Sequence, residues 1–122
     1  MTGRILITGG AGFIGFHLAR HLINTDYDLC LVDNHQRGVC DPDFSTLISG
    51  NKVSFVEKDL LDLNDVMSLG HDFDVIFHLA AIIGVRHVLE RPYDVLTHNT
   101  RMLENVIELA RAQKKFSRLL FA

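Results

Sequence analysis

No tryptophan occurs in this sequence, and cysteine and proline occur only twice each. Two cysteines cannot build a disulfide scaffold, and the spacing of Cys30 and Cys40 matches no zinc pattern, so both read as packing or incidental thiols. A long hydrophobic run is missing as well: residues 75–85 are interrupted by His78 and are too short to span a bilayer. The apolar stretch behind Arg4 is broken by glycines, which argues against a signal peptide. A cytoplasmic protein without membrane contact is therefore expected. No block of like charge is present, and a net charge of −3 leaves no basic face for nucleic acid. What remains is a composition of 48% hydrophobic and 22% charged residues in 122, enough for one globular domain with a real core and small-molecule or protein partners.

Glycine is where the sequence becomes specific. Ile5, Leu6 and Ile7 form a short, mostly β-branched run that reads as a buried strand. Gly9, Gly12 and Gly15 follow at three-residue spacing, with Gly10 extra, and helical periodicity begins at Phe13 and runs on past Ile14 to Ile23. A sharp exit from a strand can require φ > 0, which Gly9 tolerates. Gly12 carries no side chain where a phosphate would approach the backbone, and Gly15 lets the helix lie close on the strand. The first helical turn then offers unpaired N–H groups and the positive end of a macrodipole, which suits a pyrophosphate. A second apolar run, residues 29–32, ends at Asp33, eighteen residues after Gly15. An acidic side chain at that place can accept hydrogen bonds from the adenosine ribose and repel a 2′-phosphate, so NAD is favoured over NADP. Arg37 in the following loop is the residue that could instead meet a 2′-phosphate.

The run Thr8-Gly9-Gly10-Ala11-Gly12-Phe13-Ile14-Gly15 with Val32-Asp33-Asn34 resembles the extended short-chain dehydrogenase/reductases, the NAD-dependent epimerase/dehydratase family that acts on nucleotide sugars. Asp59-Leu60, His78-Leu79-Ala80-Ala81, Gly84-Val85, Arg91-Pro92, Asn99 and the segment from Asn105 to Arg111 continue the likeness in the family's order. The resemblance implies that Asp59 and Leu60 contact the adenine, that Leu79, Ala80 and Ala81 border the cofactor, and that Asn99 lies beside it. Met102 and Leu103 depart from the glycine and threonine common in the family. Close helix packing would have to be rearranged there.

Along the chain, residues 44–48 suggest a short helix and 53–56 a third strand. Asp59 can also be read as the cap of a helix starting near Leu63. Residues 74–79 form a fourth strand in which His78 reads as a satisfied core histidine rather than a catalyst. Residues 82–91 read as a loop or broken turn, and Pro92 suits the first position of a helix reaching about Gln113. Val95, Leu96, Met102, Leu103, Val106, Ile107 and Ala110 are expected to share one face of that helix, with Asn99 among them. A fifth strand starts at Arg118. The fold expected is α/β, a Rossmann-type doubly wound parallel sheet in the order 3-2-1-4-5 with right-handed crossovers.

His17 and His21 could share a metal, but no third ligand accompanies them, and no metal site is expected. By resemblance, catalysis needs a Ser or Thr after the fifth strand and a Tyr-x-x-x-Lys; here Leu31 stands four residues after Tyr27 and Thr97 four after Tyr93. No catalytic residue is assigned. Two readings follow: the NAD-binding amino-terminal part of a nucleotide-sugar epimerase or dehydratase, inactive alone and lacking the substrate-binding segment, or a stand-alone NAD(P)-binding sensor or interaction module. The apolar residues 119–122 at the end favour the first reading, and with the long helix they suggest a homo-oligomer.

Overall fold

In a computed structural model that describes residues 3–34, 42–82 and 85–122, the five apolar runs form one parallel sheet. Its strands are β1 (Arg4–Thr8), β2 (Asp28–Asp33), β3 (Val53–Glu57), β4 (Val75–His78) and β5 (Arg118–Phe121), in the order β3-β2-β1-β4-β5. The helices between them are α1 (Phe13–Leu22), α2 (Pro42–Ile48), α3 (Leu63–Met67), α4 (Val85–Glu90) and α5 (Pro92–Arg111). Strand alternation splits the core in two. Leu6, Cys30, Val32 and Ile76 face Val66 of α3 and Met102, Val106, Leu109 and Ala110 of α5. Ile5, Ile7, Leu29, Leu31 and Val53 face the other way, onto Ala19 of α1 and Phe44 and Leu47 of α2. Because both faces are covered, the central strands are apolar on both sides, as parallel sheets require. Each fully buried leucine or isoleucine contributes roughly 1.5–3 kcal/mol, so the central strands carry much of the stability.

Register places the functional end. Thr8 pairs with Val32 on one side and His78 on the other, which aligns the carboxyl ends of β1, β2 and β4 at one edge of the sheet. At the opposite edge Gln113 ties α5 down. Its amide oxygen accepts from Phe73 N at 2.9 Å, while its nitrogen donates to Gly70 O and Leu109 O, both at 2.8 Å.

Three expectations need correction. Residues 85–90 are helical rather than a loop. Six residues are too few to show a period, and local pairs close the turn: Arg86 with Glu90 at 3.2 Å and Arg91 with His87 at 3.1 Å. Arg91, restricted by the proline after it, leaves helical geometry at φ −141° and separates α4 from α5. Second, α5 has two apolar stripes, not one. Met102, Val106, Leu109 and Ala110 are buried, whereas Leu96 is 68% exposed and Ile107 39% exposed. At about 100° per residue, Leu96, Leu103 and Ile107 fall on a stripe turned away from the sheet. Third, the cap of α3 is Asp62, whose carboxylate accepts from Asn64 N and Asp65 N, rather than Asp59. The Met102 departure is absorbed by packing, since its side chain sits in the core beneath α5. Arg37, Cys40 and Gly84 lie outside the described residues. Among the described residues, no helix is long and apolar enough to cross a membrane.

Candidate cofactor-binding site

The turn from β1 into α1 is built by backbone contact. Gly9 has φ +71°, and a Cβ there would stand 3.0 Å from Ala80 N at the end of β4. At Gly10 a Cβ would meet the Leu31 side chain at 2.6 Å, so the glycine left over by the spacing argument is the one pressed against β2. Gly15 is tighter still: a Cβ would lie 2.3 Å from Gly9 O and 2.9 Å from Gly10 Cα. Gly12 differs in kind. Among the described residues its only neighbour within reach of a Cβ is Gly9 O at 3.3 Å, so it meets no packing on its outer side from them.

Gly12 is the N-cap of α1, its own N–H donating to Gly9 O at 3.0 Å. Among the described residues no side chain caps this helix end, and no acidic residue sits in its first turn. The leading N–H groups of α1, from Phe13, Ile14 and Gly15, therefore have no acceptor within the helix. Phe13 and Ile14 are 80% and 66% exposed at the same end. An open helix start, a bare Gly12 and a first helical turn without an acidic residue are what a diphosphate needs.

Asp33 is fixed to this turn. Its Oδ2 accepts from Ala11 N at 3.0 Å, and its backbone oxygen accepts from Lys58 N at 3.3 Å, tying the end of β2 to both the glycine turn and the segment after β3. Asn34, next in line, is exposed. A glycine turn of this kind suits a dinucleotide, and over residues 5–122 the chain matches the model of the NAD dependent epimerase/dehydratase family. The chain belongs to that family. A UDP-N-acetyl-alpha-D-glucosaminuronate decarboxylase from Bacillus cytotoxicus is 36% identical over 94% of this chain and 35% of its own length. Among solved structures, the UDP-Glc/GlcNAc 4-epimerase of Campylobacter jejuni superposes with a TM-score of 0.86 at 33% identity, over 98% of this chain and 36% of that one. A mutant uronate dehydrogenase from Agrobacterium tumefaciens complexed with NAD gives 0.76 at 30% identity, over 100% and 41%. The chain thus spans about a third of the length of the curated relatives it matches.

The family's remaining landmarks gather at the same edge of the sheet with unequal access. Leu79 and Ala80 are half-buried against Gly9, and Ala81 is exposed. Asp59 is exposed, but the Leu60 side chain is only 5% exposed and packs into the α5 core, so toward a ligand it offers backbone alone. Asn99 meets its expected need for a partner through Ile82: Ile82 N donates to its Oδ1 at 2.7 Å and its Nδ2 donates to Ile82 O at 3.1 Å. Both ends of the amide hold the segment after β4. Among the described residues no cluster of three His, Cys, Asp or Glu could hold a metal.

Sequence reasoning passed over Thr8. Its Oγ1 accepts from Leu79 N and Ala80 N, each at 3.1 Å, and lies 2.8 Å from His78 Nδ1. With both lone pairs taken, the hydroxyl proton goes to Nδ1, which fixes His78 as the neutral tautomer protonated on Nε2. His78 is 2% exposed, a core histidine as its strand position implies, and burial pushes its pKa down from 6.5 to about 4. The detectable signal was a threonine ending an otherwise apolar strand. Burial likewise raises the Cys30 thiol, so it is an inert packing group.

The two kinds of glycine predict different phenotypes. Gly15→Ala, forced against Gly9 O, should lose about 1–3 kcal/mol of stability in urea denaturation. Gly12→Val should melt close to wild type yet lose NAD binding in calorimetry, because its side chain fills the approach to the backbone. The reverse pattern would contradict the cradle.

His78 predicts an acid-sensitive core. The unfolded chain takes up the proton near pH 6.5, while the folded chain resists until about 4. The contribution is therefore full above pH 6.5 and lost as pH falls toward 4, a total of roughly 3 kcal/mol. Urea stability of the wild type minus that of His78→Gln, followed from pH 7.5 to 4, should shrink in that window; a constant difference would contradict the neutral assignment.

Proposed function

We propose that this chain is the NAD-binding part of an enzyme that epimerises, dehydrates or decarboxylates the sugar of a nucleotide sugar by transient hydride transfer between sugar and NAD. The observation that carries the reading is the uncapped start of α1 behind a turn with no room for a methyl at Gly15, with Asp33 fixed to the same turn, in a member of this family. Bound NAD supplies a reversible hydride acceptor. The N–H groups of Phe13, Ile14 and Gly15 hold the pyrophosphate across the bare backbone of Gly12. Asp33 and Asn34 take the adenosine ribose, and the Asp33 charge disfavours a 2′-phosphate, selecting NAD over NADP. Asp59 and the Leu60 backbone border the adenine. Gly9, Leu79, Ala80 and Ala81 give a close, side-chain-poor wall toward the nicotinamide half, and Asn99 holds Ile82 in place beside it.

Acid–base chemistry needs a group this chain does not carry. The Tyr27 ring lies against Gly3, at the amino end of β1 and away from the glycine turn, and Tyr93 is 75% exposed on α5. Neither has a lysine four residues on. The chain by itself therefore binds NAD without turning over sugar nucleotides, short of roughly 10²- to 10⁴-fold of acid–base assistance. A homo-oligomer is part of the same proposal. Val88, Leu89, Tyr93, Leu96 and Phe121 are exposed, and several of them border an apolar groove of about 310 Å³ between α4, α5 and β5.

Calorimetry with both cofactors tests the binding reading. NAD should bind tighter than NADP, and Asp33→Asn, which keeps an oxygen for Ala11 N but removes the charge, should narrow the gap. A wild type that prefers NADP, or that turns over nucleotide sugars by NADH absorbance, would overturn the assignment. Sedimentation over a concentration series addresses the oligomer: mass should rise with concentration, and Leu96→Lys should suppress the rise. A strictly monomeric wild type would refute it.

A further inference from the structure

Asn105 is a polar, half-buried residue on α5, flanked by the buried Met102, Val106 and Leu109. No role in the site has fallen to it. Its Nδ2 donates to Leu60 O at 2.8 Å, across 45 residues of sequence. The N–H of that same peptide group belongs to Leu61 and donates to Asp59 Oδ1 at 3.0 Å. One rigid peptide plane thus has its oxygen held by Asn105 and its hydrogen holding the Asp59 carboxylate. Donation into the carbonyl also polarises the N–H and strengthens its bond to the carboxylate. The plane cannot rotate freely, because the Leu60 side chain is anchored in the core beneath α5. Among the described residues the remaining hydrogen bonds of Asp59 are to its backbone: its N–H donates to Asp65 Oδ2 at 3.2 Å, and its oxygen accepts from Asp62 N at 3.1 Å. The Leu61 amide, held by Asn105, is what aims the carboxylate.

We propose that Asn105 is a positioning residue for the base of the dinucleotide: through the Leu60–Leu61 peptide it orients the Asp59 carboxylate so that one oxygen is presented to the amino group of adenine. The inference rests on the reading that Asp59 borders the adenine. A carboxylate accepts from adenine's 6-amino group and repels the carbonyl oxygen that hypoxanthine carries in its place. Asn105 therefore governs which base is preferred, beyond how stable the fold is.

Affinities for NAD and for nicotinamide hypoxanthine dinucleotide, measured by calorimetry, isolate this effect. The wild type should prefer NAD, and Asp59→Ala should abolish the preference. Asn105→Leu and the near-isosteric Asn105→Asp should each weaken NAD binding by about 10-fold, the scale of one lost hydrogen bond to a charged group, and leave the hypoxanthine analogue nearly unchanged. If Asp59→Ala abolishes the preference but both Asn105 variants keep it, the role of Asn105 is overturned and the adenine reading stands. If Asp59→Ala keeps the preference, both fall. Should an Asn105 variant not fold, the wild type decides: its Asn105 side-chain amide resonance should respond to AMP and not to IMP, and equal responses would overturn the proposal.

Discussion

Backbone packed on backbone at the β1–α1 turn is the constraint on which the site depends. The turn lies between two strands. Gly10 is pressed on Leu31 of β2 and Gly9 on Ala80 at the end of β4, while Gly15 brings the first turn of α1 against Gly9 O. These contacts set the start of α1 above the centre of the sheet, where the strand order reverses and a crevice opens beyond the carboxyl ends. A methyl at any of the three would have to push a strand, a helix or the turn itself. Among the described residues Gly12 alone of the four is free of that pressure, so packing does not account for its lack of a side chain.

Polar groups at the same edge are joined in a way that makes the crevice stiff. Thr8 Oγ1 gathers Leu79 N, Ala80 N and the His78 imidazole, so the end of β4 is hung from the end of β1. A buried hydroxyl or imidazole without partners would cost several kcal/mol. Here the partners are each other, and no buried side-chain nitrogen or oxygen among the described residues lacks a hydrogen bond. The neutral state of His78 follows from that geometry as much as from burial: a proton on Nδ1 would face the hydroxyl hydrogen of Thr8. Catalysis is not needed to explain this histidine.

The long helix α5 holds the other side of the crevice. Its buried stripe covers the sheet, and two of its asparagines reach separate loops: Asn99 takes the segment after β4 and Asn105 the segment after β3. Gln113 fixes the far end. A helix bonded to three separate loops transmits little freedom from one to another. The substitution of Met102 and Leu103 for smaller family residues is tolerated because Met102 points into the core and Leu103 toward the outer groove.

Much of the fold was legible in the sequence because it is written in local terms. Period-2 and period-3.6 apolar patterns, a glycine turn and an N1 proline each act over a few residues, and they were enough for all five strands; the strand order came with the resemblance to a doubly wound family. The same patterns failed where locality fails. Six residues of α4 are shorter than the period that would reveal them, and the second stripe of α5 looks like the first until one knows which side the sheet occupies. The site divides in the same way. Its glycines were legible as steric necessities of a tight strand-to-helix turn, and Asp33 as the acid that closes the next strand. The bonds that aim it were not, because Thr8 to His78, Asn105 to Leu60 and Asn99 to Ile82 join residues 70, 45 and 17 apart. A polar residue in an apolar stripe announces that it needs a partner, but only the folded chain says which one. In this protein those choices tie the end of β4 to β1 and the segments after β3 and β4 to α5.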